Sequence, residues 1–249
     1  MIILKSPEEI QKIRKASKIV AEVLEEVSPM VVPGVTTQDI DRKAAELMKL
    51  KGSKPAFKGY RGYPAVLCLS VNEEVVHGIP SSTRVLKEGD VLGVDCGVIV
   101  DGFYGDSART FPVGKVDGES EKLLRVTRES LYKGIEQMVV GNRLGDIGWA
   151  VQNHAESNGF SVVRDFVGHG IGRRLHEEPQ VPNFGKPHTG IRLVAGMVLA
   201  IEPMVNVGVK EVKILEDGWT AVTLDGRRSA HFEHTIALTD KGYEILSVI

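Results

Sequence analysis

Four acidic residues stand in stretches where an isolated carboxylate would be costly: Asp95, Asp106, Glu202 and Glu233. Asp95 and Asp106 belong to the run VLGVDCGVIVDGFYGDSART, and Glu202 ends the run GMVLAIE with no basic residue beside it. A buried carboxylate must be paired, protonated or bound to a metal ion. The alternative for each acid is a solvated position on an exposed hairpin or at a strand end. A convergent group of such acids would indicate cation chemistry.

The first two acids are predicted to share one face of a β-hairpin. The Asp101-Gly102 pair is a strong signal for a two-residue turn. With the loop at 101–102, Asp106 faces Gly97, which lies on the same sheet face as Asp95; with the loop at 100–101, Asp106 faces Asp95 directly. Either register puts both carboxylates on one face, whereas a three-residue loop or a bulge would separate them.

Two further segments contribute histidines. FVGHGIGRRLHEEP contains His176 and also His169, which has a glycine on each side that indicates close packing of the backbone, and VVHGIP contains His77. Each of these histidines has a purely structural alternative. The structural interpretation is the one we keep for His154, in a polar helical stretch, and for His188, in a loop rich in proline and glycine.

The segment SAHFEHTIAL places Glu233 between two histidines. As a continuous strand it would put His231 and Thr235 on the face of Glu233, and the intervening residues on the other face. The alternative is an exposed polar strand.

The four acids and His169 together balance the charge of two divalent cations. The carboxylates carry four negative charges, the imidazole is a neutral donor, and two divalent ions carry four positive charges. Oxygen-rich ligation with one imidazole suits Mn²⁺, Fe²⁺ or Co²⁺ better than a zinc site that depends on thiolates. Bridging carboxylates can hold two such ions about 3.5–4 Å apart. The residues therefore predict a two-metal site.

The bulk composition is that of a globular protein. The chain has 249 residues, 42% of them hydrophobic, and a net charge of −2. These values predict one large domain or two fused halves, and they give no electrostatic argument for binding nucleic acid or an anionic membrane. No apolar run approaches the roughly 20 residues that span a bilayer, and charged residues from Lys5 onward argue against a signal peptide. Cys68 and Cys96 are expected to be buried thiols in a reducing, cytoplasmic compartment.

The elements that must position the site alternate in two rounds. Capping signals and hydrophobic periodicity predict helices from Ser6-Pro7, over 36–50, near 119–140 and over 144–158, with strands at roughly 63–113 and again beyond 160. Three pairs of similar segments recur in the same order: Met30–Ile40 with Met138–Ile147, Val76–Ile79 with Gly168–Ile171, and Leu86–Asp95 with Leu193–Glu202. We therefore expect two pseudo-two-fold-related α/β halves, roughly 1–115 and 116–249, with a ligand site between them.

At these residues the sequence resembles the type I methionine aminopeptidases, in their short bacterial form, along essentially the whole chain. The resemblance is carried by five motifs in the family's order: NEEVVHGIP, DCGVIVDGFYGDSART, GHGIGRRLHEEP, IEPMV and FEHT. It implies the pita-bread fold, an α/β (α+β) architecture in which helices cover the antiparallel sheets of both halves, as one catalytic peptidase domain over 1–249. It also implies removal of the initiator methionine from nascent chains whose second residue is small.

The resemblance implies a role for each site residue. The metal ligands would be Asp95, Asp106, His169, Glu202 and Glu233, with Asp106 and Glu233 bridging two ions, Asp95 completing one, and His169 with Glu202 completing the other. The catalytic residues would be Glu202 as general base, His176 at the developing oxyanion and His77 on the peptide. Substrate-binding residues would be Tyr60, Tyr63, Cys68, His77, His176 and Trp219. Phe57 and Leu175 stand where other members have a cysteine and a phenylalanine, which changes the shape of the pocket but not its apolar character.

Partners and rival functions also follow from the resemblance. The substrate would be the N-terminal methionine of nascent peptides, with the ribosome as a further partner, a monomeric state and a cytoplasmic location. Asn72 and Ser229 match a monovalent-cation site of some relatives. The rivals are an Xaa-Pro peptidase of the same fold, which usually carries an additional N-terminal domain, a non-catalytic protein of this fold that binds ribosome or RNA, and a purely structural metal site.

Overall fold

The first helix begins where the sequence predicts it. In the computed structural model, which describes residues 2–249, the Ser6 hydroxyl accepts from the Glu9 N–H, and the Glu9 carboxylate accepts from the Ser6 N–H at 3.1 Å. Pro7 takes the first helical position, where its missing N–H costs nothing. The second helix is capped in the same way by Thr36 and Asp39. Both starts are confirmed.

The first half consists of two helices on one face of an antiparallel sheet. Its elements are α1 (Pro7–Val27), α2 (Thr37–Leu50), β1 (Lys54–Pro55), β2 (Leu67–Val71), β3 (Glu74–Val76), β4 (Val91–Val100) and β5 (Phe103–Pro112), with short 3-10 turns at Ser28–Met30 and Tyr60–Gly62. Strand β4 pairs with β5 along one edge and with β1 and β2 along the other. The apolar faces of α1 and α2 pack against β2 and β4 to form the core of this half.

The second half repeats the plan with a five-stranded sheet. Its elements are α3 (Gly118–Ile135), α4 (Leu144–Ser157), β6 (Ser161–Val162), β7 (Gly168–Gly170), β8 (Glu177–Val181), β9 (Val198–Ile201), β10 (Met204–Asn206), β11 (Val212–Ile214), β12 (Ala221–Thr223), β13 (Ser229–His231), β14 (His234–Thr239) and β15 (Gly242–Ile245). The main sheet has the order β15-β14-β9-β7-β8, and two small sheets have the orders β13-β10-β6 and β11-β12-β3. Among residues 2–249, no helix is both long and apolar enough to cross a membrane.

The predicted architecture of two halves with antiparallel sheets covered by helices is confirmed, and so are two of the three internal similarities. An isolated β-bridge precedes the second helix of each half, Thr36 with Val85 in the first and Arg143 with Arg192 in the second. Glycines with positive φ occupy matching turns before these helices and before β4 and β9: Gly34 and Gly141 (91° and 98°), and Gly89 and Gly196 (88° and 91°).

The third similarity does not reflect equivalent positions. His77 directly follows β3, which pairs with β12 of the other half, whereas His169 lies within β7, beside β9. The strand that takes the corresponding place beside β4 is β2. A short sequence match such as VHGI and GHGI therefore does not show that two segments occupy equivalent positions in the fold.

Helix α3 is shorter than predicted. It ends at Ile135 rather than near residue 140, and the N–H groups of Gln137 and Met138 then turn back to carbonyls three residues earlier. Two β-branched residues, Val139 and Val140, disfavour further helix, and Gly141 adopts a φ of 98°. The apolar periodicity therefore continues beyond the point where the backbone leaves the helix.

A buried ion pair attaches the N-terminal segment to the first residue of β8. The Lys5 Nζ lies 2.6 Å from the Glu177 Oε2, and the two side chains are 3% and 1% exposed. Because removal of one partner leaves an uncompensated buried charge, we predict that Lys5→Met lowers the free energy of unfolding by about 3–5 kcal/mol. Urea denaturation measures this loss.

The matched control is Lys15→Met. Lys15 pairs with Asp101 at 2.8 Å, but both side chains are 61% exposed, so its loss should cost less than about 1 kcal/mol. Equal effects of the two substitutions would contradict a special contribution from the buried pair.

Candidate functional site

The β4–β5 hairpin places Asp95 and Asp106 on one face. The turn is Asp101–Gly102, with φ of 51° and 78°, and the register pairs Gly97 with Asp106. Of the two loops that the sequence allows, the structure has the one at 101–102. Neither a third loop residue nor a bulge interrupts this hairpin. The prediction that both carboxylates lie on one face of the sheet is therefore confirmed.

Strand β5 is also joined to the second half, beside Glu233. The Thr235 hydroxyl donates to the Asp106 carbonyl at 2.8 Å and accepts from the Asp106 N–H at 3.3 Å. The Glu233 N–H donates to the Ala108 carbonyl at 2.9 Å, and the Ser107 hydroxyl donates to the Glu233 carbonyl at 2.5 Å. These bonds hold an acid of each half against the other.

His169 presents a lone pair to two of the acids. Its Nδ1 lies 3.0 Å from the Gly170 carbonyl oxygen, which can only accept, so Nδ1 carries the hydrogen and Nε2 is the acceptor. The Nε2 lies 3.5 Å from the Glu202 Oε1 and 4.0 Å from the Asp106 Oδ2. A metal-bound histidine usually binds the ion through one ring nitrogen and donates a hydrogen bond from the other to a group such as a carbonyl.

The convergent oxygens lack hydrogen-bond donors. The Asp95 Oδ1, the Asp106 Oδ1 and the Glu233 Oε1 are buried without a hydrogen-bond partner. Asp106, His169 and Glu233 each offer one ligand atom within 4.8 Å of the others, the one buried cluster of this kind in the part of the chain that is described. Acceptors that face acceptors require a positive charge between them, so these residues fit a divalent cation.

The pKa values of these residues show the same repulsion between buried acceptors. Burial raises the pKa of Asp95 to about 7 and that of Glu202 to about 8. Burial and then the neighbouring carboxylates raise the pKa of Asp106 and of Glu233 well above the ordinary values. Burial, followed by the nearby His176, lowers the pKa of His169 to about 3. Without a cation, the acids therefore hold protons near neutral pH while the histidine stays neutral.

A single cavity of about 600 Å³ collects the predicted site residues. Its walls include Tyr60, Tyr63, Cys68, His77, Asp95, Asp106, His169, His176, Glu202, Trp219 and Glu233, and also Phe57 and Leu175. Asn72 and Ser229 lie outside it; the Ser229 N–H donates to the Asn72 carbonyl at 2.9 Å, at the junction of the two halves. The histidines kept as structural lie elsewhere: His154 pairs with Glu129 at 2.9 Å, and the His188 side chain is 92% exposed.

One part of the cavity, its apolar end, is lined by buried apolar side chains. Phe57, Tyr63, Cys68 and Leu175 pack together there, with Trp219 at their margin. Burial raises the pKa of the Cys68 thiol well above its ordinary value, so this cysteine behaves as a small apolar group. The Tyr63 and Trp219 rings meet edge to face with centroids 5.1 Å apart. This end suits an apolar side chain of moderate length.

Two histidines stand between the apolar end and the acids. The Tyr60 hydroxyl lies 2.8 Å from the His176 Nδ1; donation by the hydroxyl leaves the hydrogen of the neutral imidazole on Nε2. His77 has a φ of 63° and packs edge-on against Phe166, and burial lowers its pKa to about 4. Both imidazoles are neutral near pH 7 and can donate a hydrogen bond to a ligand without adding charge.

Sequence reasoning missed His231 as a site residue. Its Nε2 is buried without a hydrogen-bond partner and lies 3.5 Å from the Glu202 Oε2. The predicted continuous strand over this segment is wrong, because β13 ends at His231 and β14 begins at His234, with the Glu233 N–H turned to β5. The available signal was the placement of His231 on the face of Glu233.

Comparison with known proteins found a matching family and several full-length relatives. The model of metallopeptidase family M24 matches residues 11–240. The methionine aminopeptidase of Clostridium perfringens is 56% identical over 249 residues and is covered completely, as is this chain; methionine aminopeptidase 1 of Bacillus subtilis is 52% identical over 247 residues, 99% of both chains. The crystal structure of the Thermotoga maritima methionine aminopeptidase superimposes with a TM-score of 0.99 at 53% identity, covering 100% of both chains. The pita-bread fold is confirmed.

We predict that the metal-stripped protein loses stability as the pH rises. Asp95 and Glu202 release their protons at about 7 and about 8 in the folded chain, against ordinary values of 3.8 and 4.5. Between these limits both carboxyls hold more protons in the folded chain than in the unfolded chain. Below pH 6.5 the lowered pKa values of His77 and His169 act in the opposite direction, so the free energy of unfolding should fall with increasing pH above about pH 7. Divalent cations should abolish the fall, because they neutralise the same oxygens. Urea unfolding at about pH 7 and at about pH 8.5, with chelator or with Mn²⁺, measures this.

The control is the double variant Asp95→Asn and Glu202→Gln, in which the slope should flatten. A metal-stripped wild type with equal stability at both pH values would contradict the prediction.

Proposed function

The chain belongs to metallopeptidase family M24, and from this premise we propose that it is a metal-dependent methionine aminopeptidase. The substrate would be the initiator methionine of nascent chains whose second residue is small. The observation that supports this most strongly is the single cavity that joins an apolar end to an acid cage, the four carboxylates of Asp95, Asp106, Glu202 and Glu233. An N-terminal methionine side chain at the apolar end would leave its own peptide bond near the acids.

The acid cage would hold two divalent ions. Asp106 and Glu233 would be shared by both ions, Asp95 would bind one, and His169 with Glu202 would bind the other. The charge of four carboxylates supports two ions, and the oxygen-rich donor set supports Mn²⁺, Fe²⁺ or Co²⁺. When bound, such ions lower the pKa of a water molecule and polarise a carbonyl group.

Three residues of the chain would act on the substrate. Glu202 borders the cavity with 14% of its side chain exposed and would accept a proton there as general base. His176 would donate its Nε2–H to the carbonyl oxygen of the first peptide bond, where negative charge develops. His77 would donate to the peptide from the opposite wall. The Tyr60 hydroxyl would keep His176 in the donating tautomer.

The rival functions have less support. The prolidase of Pyrococcus furiosus shares the fold, with a TM-score of 0.80 at 21% identity, and this chain covers 66% of that protein. A non-catalytic protein of this fold would not require the five convergent donors, and a structural metal site would not require a cavity of about 600 Å³ beside the acids.

The cellular context is part of the proposal. One catalytic domain over 1–249, with halves at roughly 1–115 and 116–249, would act as a monomer on nascent chains in the cytoplasm, with the ribosome as a partner. The two buried free thiols, Cys68 and Cys96, are consistent with a reducing compartment. A monovalent cation would bind near Asn72 and Ser229, whose main chains are hydrogen-bonded to each other.

We predict that metal-stripped protein is inactive and that Mn²⁺, Fe²⁺ or Co²⁺ restores cleavage of Met-Ala-Ser after methionine. Ala-Pro peptides should not be cleaved, since the apolar end of the cavity selects the first side chain. The assay is release of free amino acid during titration with each metal, with Zn²⁺ for comparison. Faster cleavage of Ala-Pro peptides would favour the prolidase alternative, and no cleavage of either would favour a binding protein.

We predict that Glu202→Gln lowers kcat on Met-Ala-Ser by roughly 10²–10⁴-fold, the usual contribution of a general base. The amide has the same shape but cannot accept the proton. The matched control is Glu216→Gln, at an exposed position outside the cavity, which should leave kcat unchanged. A Glu202→Gln protein that turns over at the wild-type rate with metal bound would remove Glu202 from this role.

A further inference from the structure

The Glu202 carboxylate lies between two imidazoles. Its Oε1 is 3.5 Å from the His169 Nε2, and its Oε2 is 3.5 Å from the His231 Nε2. Only His169 belongs to the ligand set proposed above. The Nε2 of His231 is buried and has no hydrogen-bond partner, so the structure contains a second polar nitrogen at the cage that the proposed reaction leaves without a function.

His231 is held firmly in this position. It is the last residue of β13, opposite Met204 in β10. Its N–H donates to the Thr110 hydroxyl at 2.9 Å, and its carbonyl accepts from the same hydroxyl at 2.8 Å. The side chain is 5% exposed, so the ring has no route to solvent without a change in the fold.

A hydrogen-bond partner fixes the tautomer of His169, whereas the tautomer of His231 has to be inferred from its contact with Glu202. The Gly170 carbonyl holds the hydrogen of His169 on Nδ1, which leaves the Nε2 lone pair toward the cage. A second lone pair at His231 would oppose the Oε2 lone pairs across 3.5 Å and leave both buried atoms unsatisfied. A hydrogen on the His231 Nε2 instead turns a donor toward the Oε2, which favours this tautomer because a buried polar atom without a partner is costly.

We propose that His231 is a positioning residue, whose Nε2–H holds the Glu202 Oε2 and thereby leaves Oε1 for the cation that His169 binds. This inference rests on the proposed function, because it assigns Glu202 to a metal ion. Hydrogen-bond partners of ligating carboxylates orient the ligand, and their loss typically costs 10–100-fold in metal affinity. His231 touches neither substrate nor metal in this arrangement and acts only through Glu202.

The test compares two substitutions at this position. His231→Gln keeps an N–H donor of similar reach, and His231→Leu keeps the bulk but removes the donor. We expect about 10–100-fold weaker binding of Co²⁺ for His231→Leu, measured by competition with a chelator, and a change within about threefold for His231→Gln. The absorption spectrum of bound Co²⁺ should be the same in His231→Gln as in the wild type. His154→Leu, which removes a histidine far from the cavity, should match the wild type.

Kinetics give a second readout. At saturating metal, His231→Leu should lower kcat on Met-Ala-Ser and leave KM unchanged, because the apolar end of the cavity is intact. If His231→Leu does not fold, His231→Asn replaces it, since the shorter amide cannot reach Glu202.

Two results would overturn the inference. One is wild-type Co²⁺ affinity in His231→Leu or His231→Asn. The other is a His231→Gln protein with both the affinity of His231→Leu and an altered Co²⁺ spectrum, which would make the imidazole itself a ligand. A wild-type protein that binds no divalent cation would overturn the proposed function and the inference together, and the affinity of the wild type alone distinguishes that case.

Discussion

The mutual repulsion of buried acceptors is the constraint on which the rest of the structure depends. Asp95, Asp106, Glu202 and Glu233 converge with the lone pair of His169, and several of their oxygens have no donor in the protein. Such a cage is stable only when protons or cations occupy it. Burial of these groups in one place both raises the carboxyl pKa values and lowers the imidazole pKa. The fold buries the acceptors, and bound protons or cations would balance their charge.

The fold resists this repulsion at the seam between its halves. Hydroxyls of Ser107, Thr110 and Thr235 bond to main-chain groups across the seam, so the backbones that carry the acids cannot move apart. Hydroxyl groups suit this task because one side chain can both donate and accept, as Thr235 does with the main chain of Asp106. The main chains that carry Asp106 and Glu233 are therefore joined by neutral hydrogen bonds next to the charged groups.

The histidines differ in chemistry only through their partners. The Gly170 carbonyl makes the Nε2 of His169 an acceptor, whereas the Tyr60 hydroxyl beside the Nδ1 of His176 can either donate or accept. Sequence motifs identify both residues but not their tautomers. The position of His231 beside Glu202 could not be predicted from the sequence either, since it depends on the break between β13 and β14. Helix starts, the hairpin parity and the close packing around Gly168, where a Cβ would lie 2.3 Å from the Ala200 carbonyl oxygen, follow from local chemistry and were predictable.

The sequence by itself determined the elements, the two-fold plan and the residue types of the cage, because capping, alternation and the cost of burying a charge act over short stretches of chain. The tertiary structure alone decided that Asp106 meets Glu233 and that His231 meets Glu202. Asp106 and Glu233 are brought together by hydrogen bonds between strands far apart in the chain, and no local pattern records such a contact. Structure formed by residues close in sequence could be predicted, whereas contacts between residues far apart in sequence could only be observed.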